Sequence, residues 1–253
     1  MGFARADLTE DKFLGGQVVL MQPRKGYRAG VDPVFLAASI AAHEGESVLD
    51  LGCGVGAAAL CLGARVQGLR LVGIERQPDY ADLARMNAFD NDIDMEVFTA
   101  DLADLPGEIR EETFDHVIMN PPYHLRERST TSTDPGREAA LFEDTPLAVW
   151  IDAATKRLKP RGYLTTIQKA ERLPEILGGM DGRLGSVLVK PLAPREGRAA
   201  VLVLVQARKG GRGAFRLASP LILHDGAEHV GDTESYRREV SAILRGGAHL
   251  PLW

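Results

Sequence analysis

Asn120-Pro121-Pro122-Tyr123 is the segment of this chain whose residue types come closest to stating a reaction. The Asn120 side-chain oxygen and the Pro121 carbonyl can each accept one N–H of a planar amino group. Two adjacent prolines fix the backbone so that these acceptors stay aimed. An amino group of that kind, on adenine or in the amide of glutamine, has a delocalised lone pair and is a poor nucleophile. Its attack on an electrophilic methyl group needs the nitrogen held in line and the developing positive charge offset. Tyr123 adds a ring on which a flat substrate can stack. Asn120, Pro121, Pro122 and Tyr123 are therefore the expected catalytic set. No general base is required before transfer, because the cationic product can lose its proton afterwards.

A second segment supplies the methyl donor's cradle. Leu49-Asp50-Leu51-Gly52-Cys53-Gly54-Val55-Gly56 reads as a strand ending in a glycine-rich turn, followed by the alanine-rich start of a helix. Gly52, Gly54 and Gly56 allow a tight turn and close backbone approach to a nucleotide-like ligand. Glu75 ends the next strand, where a carboxylate can accept both ribose hydroxyls. Asp101 follows the third strand and can take the adenine amino group. Asp50 can orient the methionine end. A dinucleotide would call for Gly-x-Gly-x-x-Gly, with a pyrophosphate on the helix N-terminus, whereas Ala57, Ala58 and Ala59 follow Gly56 here. The expected cofactor is S-adenosylmethionine, with Asn120 touching it as well as the acceptor.

The elements that must position these residues form a repeated strand–helix pattern. Apolar strands are expected at 47–51, 69–74, 95–100, 114–119 and 163–168. Helices are expected at 57–66, 78–91, 145–158 and 170–180. Two last apolar runs, 186–192 and 199–207, leave no room for a crossover helix and should pair antiparallel. The fold class is α/β: a Rossmann-like, seven-stranded methyltransferase sheet with an antiparallel terminal hairpin. Ahead of it, Phe13 to Pro23 reads as a hairpin around Gly15-Gly16. Asp32-Pro33 opens a helix running to about Ala42, with the aspartate as N-cap. The expected organisation is a hairpin-and-helix extension over 1–44, the methyltransferase domain over 45–226 and a tail over 227–253. In the tail, Glu234–Leu244 reads as a short helix, and the sequence does not say whether it docks on the core or touches RNA.

Composition narrows the class. The 253 residues carry 45% hydrophobic and 26% charged residues with a net charge of −5, ordinary for a globular protein and against an indiscriminate nucleic-acid coat. No apolar run reaches membrane-spanning length, and the N-terminus lacks a secretory pattern. Cys53 and Cys61 make no disulfide framework and are read as reduced and cytoplasmic. The six histidines form no ligand cluster, so no metal is expected. Charge is uneven, however. Between Arg183 and Arg216 stand Arg183, Lys190, Arg195, Arg198, Arg208, Lys209, Arg212 and Arg216 against a single acid, Glu196. This asymmetry suits either a solvated surface or a nucleic-acid face.

Gln22-Pro23-Arg24-Lys25-Gly26-Tyr27-Arg28-Ala29-Gly30-Val31-Asp32 and Asn120-Pro121-Pro122-Tyr123 together resemble the bacterial tRNA (adenine-N6-)-methyltransferases that modify adenosine 37 of a valine tRNA. Arg137-Glu138, Leu158-Lys159-Pro160-Arg161-Gly162 and Arg172-Leu173-Pro174-Glu175-Ile176 share the resemblance. It implies that Tyr27, Arg28 and Asp32 close the cofactor site, with Arg28 pairing the methionine carboxylate. It also implies a tRNA partner, with Arg24, Lys25, Arg126, Arg128, Arg137, Arg195 and Arg198 as candidate phosphate contacts. Rival acceptors with the same chemistry are a release-factor glutamine, a ribosomal guanine and a DNA adenine. The glutamine enzymes carry a helical domain ahead of the first strand, and the DNA enzymes carry a long target-recognition region. Neither is apparent in this sequence.

Overall fold

The computed structural model describes residues 2–125, 142–143, 145–226 and 235–252. The chain opens with an antiparallel hairpin, β1 (Leu8–Phe13) and β2 (Val18–Pro23), joined through a turn at Leu14–Gly16. The outer strand begins earlier than its apolar content suggests, because Thr9, Glu10, Asp11 and Lys12 sit on a half-solvated ribbon. Helix α1 (Asp32–Ala38) follows. Its N-cap is Val31, and Asp32 is already helical and makes no side-chain cap bond. The expected capping role of Asp32 is therefore corrected, since its carboxylate is used elsewhere.

The strand–helix alternation then unfolds as β3 (Ser47–Leu51), α2 (Ala57–Arg65), β4 (Arg70–Glu75), α3 (Pro78–Asp90), β5 (Met95–Thr99), α4 (Gly107–Glu111) and β6 (Phe114–Met119). Two residue pairs, β7 (His124–Leu125) and β8 (Phe142–Glu143), form a small separate ladder. Next come α5 (Leu147–Arg157), β9 (Leu158–Lys169), α6 (Leu173–Gly179), β10 (Leu184–Ala193), β11 (Leu202–Lys209), β12 (Arg216–Leu217), β13 (Leu221–Ile222) and α7 (Arg238–Gly246).

The main sheet runs β12-β10-β11-β9-β6-β3-β4-β5, with β13 also on β10. The pairs from β9 through β5 are parallel, and β11 lies antiparallel between β9 and β10. This is the expected α/β sheet with its antiparallel hairpin, extended at one edge by two strands of two residues each. Its strands alternate between two apolar layers. Val48, Leu71 and Ile118 face one, with α1, α2 and α3; Leu49, Val72 and Val117 face the other, with α5 and α6. Burial on both faces explains the mostly apolar centres of β3, β4 and β6, whereas β5 at the sheet edge alternates, with Glu96 and Thr99 exposed.

The sheet order reverses between β3 and β6, so the chain leaves these neighbours in opposite directions. Their carboxyl ends border the crevice where open α/β sheets bind ligands. The N-terminal hairpin is brought beside that crevice by two asparagines, Asn87 in the last turn of α3 and Asn91 at its C-cap. Asn91 Oδ1 accepts from Val19 N and Asn87 Oδ1 from Met21 N, both at 2.8 Å. Asn87 Nδ2 also donates to the Val55 carbonyl in the glycine turn, at 3.0 Å. The open edge of β2 is thereby satisfied by side chains in place of another strand.

At the other end of the chain, Val240, Ile243, Leu250 and Leu252 join the same apolar layer as Leu14 and Phe35. Leu250 N donates to Ala38 O at 2.8 Å. Residues 235–252 therefore dock on the core. Among the described residues no helix is long and apolar enough to cross a membrane, and no group of three or more His, Cys, Asp or Glu side chains could hold a metal ion.

Candidate active site

One cleft of about 1020 Å³ opens at the switch point. That is the upper end for a single small ligand and leaves room for a cofactor beside a planar acceptor. Its floor is the glycine turn. Gly52, Gly54 and Gly56 hold φ of +68°, +56° and +87°, a region where other residues are strained. The three glycines differ in what surrounds them. A Cβ on Gly52 would stand 2.5 Å from Trp150 Cη2, whereas one on Gly54 would meet Tyr27 Cε1 at an ordinary 3.6 Å. Gly54 is therefore buried in the cleft lining beneath the Tyr27 ring, with room there for a methyl. Gly56 is the left-handed N-cap of α2 and is not part of the lining.

Glu75 is buried and braces this turn: Oε2 accepts from Gly54 N at 3.0 Å and Oε1 from Gln77 N at 2.8 Å. Each oxygen keeps a lone pair for a ligand hydroxyl. Burial raises its pKa while these two N–H groups pull it down. Asp50 is buried deeper, and its Oδ2 has no partner. Burial pushes its carboxyl up to about 8, against a backbone hydrogen bond from Ala59. Asp101 sits on the wall, accepts from Ala103 N at 2.9 Å and faces Arg76 at 4.0 Å. Asp32 completes the acids of this lining, which also holds Arg24, Lys25, Arg28 and Arg76, so the cleft carries both signs of charge.

The second wall is the turn after β6. Asn120 lies in the lining, and its Oδ1 is buried without a partner. This bare oxygen, standing in the cleft lining, is open to a donor on a ligand. Tyr123 is half-buried, and its hydroxyl donates to Asp32 Oδ2. The N-terminal block and the Asn-Pro-Pro-Tyr turn are thus joined across the cleft. Burial raises the Tyr123 phenol, and the Asp32 carboxylate raises it further; burial also raises Asp32 itself. Tyr27 is bound through its backbone to the Tyr80 hydroxyl, at 2.9 Å, and burial likewise raises its phenol.

The basic residues divide differently from expectation. Arg28 reaches the lining, but its guanidinium is engaged by the hairpin: Asp11 at 2.5 Å and the Pro23 carbonyl at 3.0 Å. Nothing in this arrangement turns it toward a ligand carboxylate. Arg24 and Lys25 are exposed on the rim. Arg195 is corrected from a phosphate contact to a structural residue. It is buried, and it donates to the Asp225 and Gly226 carbonyls and to Ser235 Oγ. Arg198 is exposed on the turn between β10 and β11. Arg126, Arg128 and Arg137 lie outside the described residues.

Sequence reasoning missed Trp150, whose ring fixes the need for glycine at 52, and Gln168 and Arg172, which reach the acceptor turn. A signal existed for Gln168: a polar residue at the carboxyl end of a strand buried on both faces. Trp150 gave none, since an aromatic on an apolar helix face reads as core.

A family model described as methyltransferase small domain matches residues 30–187. The chain belongs to that family. The match takes in the glycine turn, Glu75, Asp101 and the Asn-Pro-Pro-Tyr turn, and begins after Tyr27 and Arg28. Over 158 residues the chain is 34% identical to a tRNA1(Val) (adenine(37)-N6)-methyltransferase of Porphyromonas gingivalis. That alignment covers 59% of this chain and 61% of the relative, so the chain spans about three fifths of that protein's length. Among solved structures, a predicted O-methyltransferase of Agrobacterium tumefaciens superposes with a TM-score of 0.70 at 28% identity, over 87% of this chain and 98% of that one. A 16S rRNA N2 G1207 methyltransferase of T. thermophilus, solved with AdoMet and guanosine, shares the fold with a TM-score of 0.53 at 19% identity, over 80% of this chain and 50% of that one.

Proposed function

We propose that this chain is an S-adenosylmethionine-dependent methyltransferase acting on the exocyclic amino group of adenine in tRNA, at adenosine 37 of the anticodon loop. The observation that carries the reading is that one cleft holds both the glycine turn with Glu75 and the unpartnered Asn120 oxygen. The name of the Porphyromonas relative supports the choice of tRNA and of adenine. A tRNA acceptor would keep the enzyme in the cytoplasm. In this reading residues 45–226 carry the catalytic sheet, 1–44 wall the cleft, and the described part of the tail, 235–252, braces α1.

The residues fit the cofactor on two counts: Glu75, with one N–H on each oxygen, stands beside Gly54 in the lining, and the buried Asp50 Oδ2 is unpartnered in the same cleft. S-adenosylmethionine, when bound, supplies an electrophilic methyl group on a sulfonium. Gly54 lets the backbone approach the ligand, Glu75 accepts from ribose hydroxyls, Asp101 accepts at the adenine edge and Asp50 faces the cationic methionine end. On the acceptor side, Asn120 Oδ1 and the Pro121 carbonyl take the two N–H groups, which aims the nitrogen and offsets its charge as it turns cationic. Tyr123, held by Asp32, stacks on the base. The proton leaves the product nitrogen to water after transfer. Arg24, Lys25 and Arg198 are the described residues that suit RNA phosphates.

Asn120→Ala tests the assignment. Turnover should fall by at least about 100-fold, the scale for losing one group that stabilises the transition state, with cofactor affinity by calorimetry within a few-fold. A variant that turns over normally would remove the turn from the mechanism.

A further inference from the structure

The acceptor turn cannot orient itself. Pro121 and Pro122 bring no N–H to their surroundings, yet each adds a carbonyl that must find a donor once out of water. Pro121 is buried and Pro122 half-buried. The donors come from the carboxyl end of β9 and the turn after it. Gln168 Nε2 lies 3.1 Å from Pro121 O and 3.4 Å from Pro122 O. Gln168 is 0% exposed, and its Oε1 accepts from Lys169 N at 2.9 Å, which fixes the amide end that meets the turn. Arg172, also buried, donates from Nη1 to Pro122 O at 2.9 Å. Its Nε and Nη2 are held by Glu175 at 3.0 and 2.8 Å.

We propose that Gln168 and Arg172 are positioning residues of the methyl transfer: they grip the carbonyls of Pro121 and Pro122 and so set the direction in which Pro121 O meets the acceptor's amino group. This rests on reading the turn as the acceptor site. Pro121 O has two lone pairs, and the Gln168 amide occupies one, leaving the other for the acceptor. The charges are distributed to match the reaction. A neutral amide touches the carbonyl that must face a nitrogen turning cationic, while the guanidinium sits one peptide further along. A cation on Pro121 O itself would oppose that charge. The geometric demand is tight, since a misplacement of about 1 Å costs on the order of 100-fold in rate.

Gln168→Glu and Gln168→Met test the proposal on the full chain, with unmodified bulk tRNA as acceptor. Both variants keep the side chain's length and remove both N–H donors. The introduced carboxyl regains one donor when protonated, and burial beside two carbonyls raises its pKa. At pH 8.5 kcat/KM should fall about 10- to 100-fold in both, the scale for leaving a buried acceptor unpaired, with cofactor affinity within twofold. As pH falls toward 6, the ratio of Gln168→Glu to wild type should recover, while that of Gln168→Met stays flat. A role in packing alone predicts no such recovery, so a pH-flat loss in both variants, or no loss in either, overturns the proposal. Arg172→Lys, which keeps the charge but loses the fork, must likewise lower kcat/KM at unchanged cofactor affinity; full activity there removes Arg172. The Asn120→Ala control separates the two readings. If it is inactive while Gln168→Glu is fully active, the positioning claim alone fails; if Asn120→Ala is active, the acceptor-site reading fails and the positioning claim with it.

Discussion

Gly52 and Gly54 stand two residues apart in the same turn, both left-handed, and should fail in opposite ways when replaced by alanine. At Gly52, φ of +68° alone costs about 1–2 kcal/mol for a residue with a Cβ. The new methyl would also lie 2.5 and 2.9 Å from Trp150 Cη2 and Cζ3. Trp150 is buried against the sheet and cannot swing into solvent, so overpacking adds about 1–3 kcal/mol. Gly52→Ala should therefore lose about 2–5 kcal/mol in all, read as a lower urea midpoint at unchanged slope. At Gly54 the φ of +56° carries the same backbone cost, but the methyl meets Tyr27 Cε1 at 3.6 Å, an ordinary contact. Gly54→Ala should lose only about 1–2 kcal/mol of stability, yet its methyl stands in the cleft, so cofactor affinity should fall by more than about tenfold, the scale of one lost 1.4 kcal/mol contact. Urea titration with calorimetry on the two variants separates these effects. A Gly54→Ala less stable than Gly52→Ala, or a Gly52→Ala within about 1 kcal/mol of wild type, would refute the account of the turn.

Asp50, pushed up to about 8 by burial, binds a proton in the folded state across a range where the unfolded carboxyl has lost it. Stability should therefore decline as pH rises from about 4 to 8, by on the order of a few kcal/mol, and Asp50→Asn should remove that decline, giving the variant its greatest advantage near pH 8 in urea melts. The two arginines of the β10–β11 turn should behave oppositely. Arg195→Ala leaves the Asp225 and Gly226 carbonyls without their donor and should cost about 1–3 kcal/mol. Arg198→Glu should leave stability within about 0.5 kcal/mol while weakening tRNA binding and lowering its salt slope by about one, measured by filter binding at several ionic strengths.

These contrasts mark where the sequence could be read and where it could not. Strands 47–51 and 114–119 coincide residue for residue with β3 and β6, because each is mostly apolar (Val48-Leu49, Val117-Ile118-Met119) and ends at turn residues. Gly52, Gly54 and Asn120 stand out on residue type alone, and the structure brings these three, though not Gly56, into one cleft. Asp32 was misread as a cap because its competitor, the Tyr123 hydroxyl, is far away in sequence and arrives only with the tertiary fold. Arg195 was misread for a related reason. A basic residue on a hairpin turn reads as solvent-facing, and only the folded chain brings the Asp225 and Gly226 carbonyls and Ser235 Oγ onto it. The strands β12 and β13 are two residues long and carry no period to detect. Asn87 and Asn91 hold the hairpin through backbone groups of β2, a match invisible until helix and hairpin lie side by side.

The identity of the methyl acceptor is open to one direct assay. The purified protein is given labelled S-adenosylmethionine with unmodified bulk tRNA, ribosomal RNA, DNA and a release factor in parallel, and the products are resolved by mass spectrometry. Label should appear in tRNA, as N6-methyladenosine at position 37. Label confined to ribosomal RNA, DNA or the release-factor glutamine would contradict the tRNA assignment while leaving the cleft and its acceptor turn in place.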